Sequence, residues 1–225
     1  MNRTLICLLA LAAAPALARA TADAPAAASA EAPAGAAAPP IAPTPAAAAA
    51  AAARNAKWAV PIALAGVPNL HRITDSLYRS EQPTAEGFRN LEKLGIRTVI
   101  NLRYFNSDDD EAQGTNLNLH RVRILTWRAG DDHVVEVMRL LRQKENGPFL
   151  IHCQHGADRT GLMSAMYRML EQNWTPEEAL AELIDGGYGF HSMWKNIKRY
   201  VLAADVTRLR ESLNASGATG IVTGN

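Results

Sequence analysis

The stretch His152-Cys153-Gln154-His155-Gly156-Ala157-Asp158-Arg159-Thr160-Gly161 constrains this chain more than any other. Before it, Pro148-Phe149-Leu150-Ile151 is a short apolar run that predicts a buried strand. After it, Leu162-Met163-Ser164-Ala165-Met166-Tyr167-Arg168-Met169-Leu170 predicts a buried helix. A strand, a tight loop and a helix N-terminus in succession make an oxyanion cradle. Loop N–H groups point inward, and the helix dipole favours negative charge there. Arg159 adds a planar fork of donors matched to two phosphate oxygens. The same field stabilises a thiolate on Cys153 and makes it a nucleophile. A nucleophile at the bottom of a phosphate-shaped cup implies phosphoryl transfer through a phosphocysteine. Gln154, His155, Gly156, Ala157, Asp158 and Arg159 are then the substrate-binding wall.

The pattern His, Cys, five residues, Arg, Thr, with Gly156 and Gly161 where close turns are needed, resembles the loop of the cysteine-dependent protein tyrosine phosphatase superfamily. The likeness is to its dual-specificity branch. Leu77-Tyr78-Arg79-Ser80-Glu81-Gln82-Pro83 and Leu94 to Arg103 look like a bacterial and fungal group of dual-specificity-like phosphatases, and Gly186 to His191 with Trp194 and Tyr200 look like the bacterial members. The resemblance implies Cys153 as nucleophile, Arg159 as phosphate clamp and Thr160 as the hydroxyl that bonds the cysteine sulfur. It implies no cofactor and no metal. Tyr78, Arg79, Asn101 and Arg103 fit packing around the sheet at least as well as substrate contact.

Two rival readings of the loop are weaker. In a rhodanese-type sulfurtransferase the arginine comes one position sooner. His152, Cys153 and His155 suggest a metal, but consecutive loop residues rarely converge on one ion, and no second ligand pair at zinc spacing is present.

The departures from the superfamily pattern concern the acid that protonates the leaving group. The usual Trp-Pro-Asp loop is missing, and Thr126-Trp127-Arg128-Ala129-Gly130-Asp131-Asp132 stands near its place. Asp131 and Asp132 are the first candidates for the acid, although carboxylates there also suit the start of the next helix. Asp158 is the second, with loop fixation as its other role. The acidic run Asp108-Asp109-Asp110, which reads as a solvated loop, is the third. Gln154, His155 and Ala157 occupy places where lipid and inositol-phosphate phosphatases often carry lysines.

The chain has 225 residues and a formal charge of +1, which implies neither nucleic acid nor an anionic membrane surface as partner. Residues 1–20 read as a secretory signal peptide: Arg3, an apolar run from Leu5, and Ala18-Arg19-Ala20 as cleavage site. The run is too short for a dedicated membrane span, so no stable membrane insertion is expected after cleavage. Export predicts a secreted or periplasmic protein. Cleavage removes two arginines and no acids, taking the charge from +1 to −1, and it removes Cys7, leaving Cys153 as the only cysteine. No disulfide within one chain is then available. The Ala/Pro-rich residues 21–56, with Pro25, Pro33, Pro39, Pro40, Pro43 and Pro45, have no apolar periodicity and predict a disordered linker. Residues 57–210 are the expected catalytic domain and 211–225 a flexible tail.

Within that domain, Arg72 to Arg79 predicts an edge hairpin, and Pro83-Thr84 starts a helix closed by Gly95. Ile96 to Leu102 and Leu119 to Leu125 predict strands, and His133 to Arg142 a helix. Thr175-Pro176-Glu177-Glu178 is a helix start. Trp194 to Arg210 predicts one last helix. Strands alternating with helices predict an α/β fold, a small mostly parallel sheet flanked by helices, with ligands at the carboxyl ends of the strands. The expected activity is a metal-independent phosphatase of the tyrosine or dual-specificity type. Its partners are then phosphorylated proteins, lipids or small molecules. The alternatives are a catalytically weak phospho-binding module and a phosphoinositide or inositol phosphate phosphatase.

Overall fold

The computed structural model describes residues 55–215. The expected signal peptide, linker residues 21–54 and tail residues 216–225 lie outside the described residues. One sheet organises the rest: β1 (Val60–Pro61), β2 (His71–Thr74), β3 (Leu77–Ser80), β4 (Thr98–Arg103), β5 (Asn118–Ile124) and β6 (Phe149–His152), in the order β1-β2-β3-β6-β4-β5. β3, β6, β4 and β5 run parallel, and β1 and β2 add an antiparallel margin. The expected mostly parallel α/β sheet is therefore present.

β6 lies between β3 and β4, in register Tyr78↔Leu150 and Val99↔Leu150. All its residues are buried, as an uninterrupted apolar run in a parallel sheet covered on both faces requires. Its side chains divide between the faces. Leu150 packs with Val99, Phe88, Leu91, Val67 and Leu70, whereas Phe149 and Ile151 join Ile100, Leu102, Met138, Met163 and Met166.

The first face is covered by α1 (Ala85–Leu94). The Thr84 hydroxyl accepts the Gly87 N–H at 3.2 Å, and Gly95, at φ 96°, closes the helix with its N–H on Leu91 and Glu92 carbonyls. The second face carries α2 (Asp131–Arg142), α3 (Asp158–Glu171), α4 (Pro176–Asp185), α5 (Lys195–Ala203) and α6 (Val206–Ala215). Thr175 and Glu178 form the capping box that the sequence predicts for α4. α3 is buried on nearly every side because it packs on the sheet while α4 crosses it closely at Gly161, where a Cβ would collide with Leu183.

Three expectations need correction. The hairpin at 72–79 forms, but it is not at the edge: β3 pairs with β6 on its far side, and Arg79 is 1% exposed. A charged residue in a short strand mimics an edge because its stacking on Tyr188 is invisible in sequence. The last helix is two: α5 ends at Ala203, and Asp205 restarts the chain by accepting the Arg208 N–H on its side chain at 3.0 Å. The packed chain also continues past Arg210, since α6 reaches Ala215 with Leu213 only 5% exposed.

α4 is fastened to the core by a buried ion pair. Glu182 Oε2 accepts Arg168 Nε at 2.7 Å, while Oε1 accepts Arg168 Nη2 at 2.9 Å, the Tyr188 hydroxyl at 2.9 Å and the Ala59 N–H at 2.6 Å. Burial alone would push this carboxyl up, but the Arg168 hydrogen bonds and charge hold it below its usual range. Removing one partner strands the other charge in the interior. Glu182→Ala is expected to lower unfolding free energy by about 3–5 kcal/mol, read in urea denaturation.

Candidate active site

Cys153 follows β6 directly as a free, buried thiol, at the carboxyl end of the parallel strands. The loop after it is shaped by where its carbonyls go. The Cys153 carbonyl lies 3.3 Å from His152 Nδ1. The Gln154 carbonyl accepts the Gln82 N–H at 3.4 Å, the His155 carbonyl accepts Asn69 Nδ2 at 3.0 Å, and the Gly156 carbonyl accepts Arg79 Nη2 at 2.7 Å. The Ala157 carbonyl accepts the Gly161 N–H at 2.9 Å in the first turn of α3. With the carbonyls turned outward, the amides of the loop converge on its concave side, where α3 also points its N-terminus. Gly156 makes the turn possible: its φ is +65°, and a Cβ there would stand 2.5 Å from the Ser80 carbonyl carbon and the Glu81 nitrogen.

Arg159 is half-buried, and its Nε has no hydrogen-bond partner among the described protein groups. It is free to bind an anion. Thr160 is buried, and its hydroxyl is likewise without a partner; the bond to the cysteine sulfur that the resemblance implies is not formed in this structure. Gln154 and His155 are exposed, while Gly156, Ala157 and Asp158 are buried. His152 is buried and His155 is exposed.

Two buried charged groups back the loop. The Arg79 guanidinium sits 3.6 Å from the centre of the Tyr188 ring while donating to Gly156. Burial lowers its pKa, against the raising influence of Tyr188, Glu182 and Cys153. Asp108 is 4% exposed. Its Oδ2 pairs with His152 Nε2 at 2.8 Å, and its Oδ1 accepts Arg103 Nη2 at 2.9 Å and Gln82 Nε2 at 3.2 Å. Asn101 Oδ1 in turn accepts Arg103 Nε at 3.2 Å. The acidic run read as a solvated loop therefore sends its first residue into the core behind His152. Arg79, Asn101 and Arg103 were flagged by sequence in this layer as packing around the sheet, and Asp108 only as a member of the acidic run. Asp108 was indistinguishable from its exposed neighbours Asp109 and Asp110.

The candidate acids divide. Asp131 starts α2 and is engaged by the Tyr200 hydroxyl at 2.7 Å and by Arg208 at 3.3 Å. Asp132 beside it is exposed and lines a cavity of about 360 Å³ with Tyr104, Arg123, Leu125, Arg128 and His133. No hydrogen bond or ion pair among the described residues ties either one to the Cys153 loop. Asp158 is tied to it, and both its oxygens are taken by His191.

A profile of the tyrosine phosphatase family matches residues 67–189, more than half of the chain. The chain belongs to that family. It is 40% identical over 148 residues to the dual specificity protein phosphatase TpbA of Pseudomonas aeruginosa, a match spanning 63% of this chain and 65% of TpbA. A crystal structure of a Cys-to-Ser variant of TpbA in complex with pTyr superposes with a TM-score of 0.65 at 32% identity, covering 72% of this chain and 98% of that one. Inositol diphosphatase DSP5 of Arabidopsis thaliana is 29% identical over 154 residues, 65% of this chain and 74% of DSP5.

The Asp108 network has a consequence for acid stability. Burial alone would raise this carboxyl, but hydrogen bonds from His152 and Gln82, with the charges of His152 and Arg103, hold it below the usual carboxylate value. On acidification the unfolded chain takes up this proton first, so stability rises with pH through that window. The contribution is full above about pH 4 and fades as pH falls through the lower folded value. Between pH 5 and pH 3, Asp108→Asn is expected to lose less stability than the parent, as measured by thermal melts along a pH series.

Proposed function

We propose that the chain hydrolyses phosphomonoesters of the tyrosine or dual-specificity type through a phosphocysteine on Cys153. The observation that carries this is the loop itself: outward carbonyls, amides gathered over a buried thiol at a helix N-terminus, and Arg159 with a donor unused by the protein. The Cys153 sulfur attacks phosphorus and the bond to the leaving oxygen breaks. Water then attacks the phosphocysteine, giving inorganic phosphate and restoring the thiolate. The inward amides and Arg159 hold the three equatorial oxygens, where charge concentrates in the transition state. The family membership and the likeness to TpbA support the same reading.

Cys153→Ser is expected to lose turnover by a factor on the order of 10⁴ or more, while still binding phosphate esters in calorimetry. Arg159→Lys is expected to cost about 10²–10³ in kcat, because a point charge cannot reproduce the fork. Vanadate should inhibit the parent, and chelators should not. Inactivation by a chelator with recovery on adding zinc would overturn the thiol mechanism. Binding without turnover of any ester in a panel of phosphopeptides, phosphoinositides and inositol phosphates would make the chain a binding module.

We also propose that the protein is exported, on the strength of residues 1–20. Mass spectrometry of the native protein should find its N-terminus at or near Thr21; retention of Met1 in a membrane fraction would mean an anchor.

A further inference from the structure

Asp158 opens α3 beside Arg159, yet it does not face the cup as a free carboxylate. Its Oδ1 accepts the His191 backbone N–H at 2.9 Å, and its Oδ2 lies 2.8 Å from His191 Nδ1. A carboxylate only accepts, so Nδ1 carries the hydrogen and Nε2 is the nitrogen left for other chemistry. The His191 ring also stands edge-on to the His155 ring, with centroids 5.4 Å apart. His155 and Asp158 flank the Gly156–Ala157 turn of the loop. An imidazole touching both lies across the rim of the cup. Its side chain is 46% exposed, against 11% for Asp158. Its chain neighbour Phe190 carries the Lys198 ammonium 5.5 Å from its ring centre, and Arg159 is the chain neighbour of Asp158.

This is the arrangement of an oriented proton carrier. A carboxylate fixes one ring nitrogen, which sets the ring's direction and leaves the other nitrogen for proton transfer. Of the carboxylates first suspected of the task, three are placed for other work, and no hydrogen bond or ion pair among the described residues ties the exposed Asp132 to the Cys153 loop. Asp131 is engaged by Tyr200 and Arg208, Asp108 is enclosed behind His152, and both oxygens of Asp158 belong to His191.

We propose that His191 is the general acid of the first step and the general base of the second, with Asp158 as its positioning residue; this rests on the phosphatase reading above. As the Cys153 sulfur bonds to phosphorus and the phosphorus–oxygen bond breaks, the Nε2 proton passes to the departing oxygen, which leaves as an alcohol or phenol. His191, now neutral, takes a proton from the water whose oxygen attacks phosphorus. The phosphorus–sulfur bond breaks, inorganic phosphate departs, and both the thiolate and the imidazolium are restored.

The test compares an alkyl phosphate, whose leaving oxygen needs the proton, with nitrophenyl phosphate, whose leaving oxygen hardly does. His191→Ala is expected to lose roughly 10²–10⁴-fold in kcat on the alkyl ester and far less on the nitrophenyl ester. Added imidazole should restore part of the alkyl activity. Asp158→Asn should move the ratio in the same direction by a smaller factor. His191→Gln, which keeps a donor toward Asp158, guards against a folding artefact and should show the same selective loss. Equal loss on both esters without rescue by imidazole would reduce His191 to a loop brace and overturn the proposal. A selective loss of the alkyl ester in the Asp131→Asn/Asp132→Asn double variant would overturn it too, by assigning the acid to that pair. Failure of the phosphocysteine reading looks different: the parent would then turn over neither ester, or Cys153→Ser would still hydrolyse nitrophenyl phosphate.

Discussion

A loop that gathers its amides over a thiol must turn its carbonyls away, and each of those carbonyls then needs a donor. A buried carbonyl left unpaired costs about 1–3 kcal/mol, which is a large share of a domain's stability. Their partners here come from four different places: the His152 ring at the end of β6, the Gln82 backbone just past β3, the Asn69 side chain in the loop before β2, and the Arg79 side chain within β3. β3 must therefore lie parallel beside β6, because two of the donors belong to it or its immediate continuation. The hairpin that brings β3 there and the turn that carries Asn69 follow from the same need. Gly156 is the point where loop and β3 meet, and the contact leaves no room for a side chain.

The charges behind the loop are buried, and burial makes them dependent on one another. Arg79 is covered by the Tyr188 ring, whose hydroxyl is held by Glu182, whose other oxygen is held by Arg168. The floor of the cup is thus joined to α3 and α4 by a continuous chain of polar contacts. On the other side, Asp108 joins His152 to Arg103, Gln82 and the turn after β4. Low effective dielectric strengthens each of these contacts and raises the cost of breaking any one. The loop is held at both sides by groups that cannot relax singly.

Much of this was readable from the chain. The apolar run Phe149 to Ile151, the glycine spacing and the position of Arg159 locate the cup. Thr84, Gly95 and Thr175 locate helix ends by hydrogen bonds local in sequence. What was hidden depended on contacts between distant residues. Arg79 looked like an edge-strand residue because Tyr188, far along the chain, is what covers it. Asp108 looked solvated because its neighbours are; only the fold shows that one member of the run turns inward to His152. His191 was legible only as the end of a segment that resembles bacterial relatives, and its tie to Asp158 appears only in the fold. The break between α5 and α6 is different, since Asp205 is an N-cap residue that local chemistry could have flagged.

The cup's electrostatics are concentrated rather than spread. Its positive field comes from backbone amides, the α3 dipole and Arg159, and the residues between Cys153 and Arg159 add no lysine or arginine. Asp158, the one charged residue among them, is neutralised at close range only if His191 carries a proton. The field is therefore strongest where one phosphate group sits and falls off toward the rim. Exposed aromatics follow the carboxyl ends of β4 and β5: Tyr104, Phe105 and Trp127. A surface of that kind meets apolar and aromatic parts of a substrate better than it meets further anions.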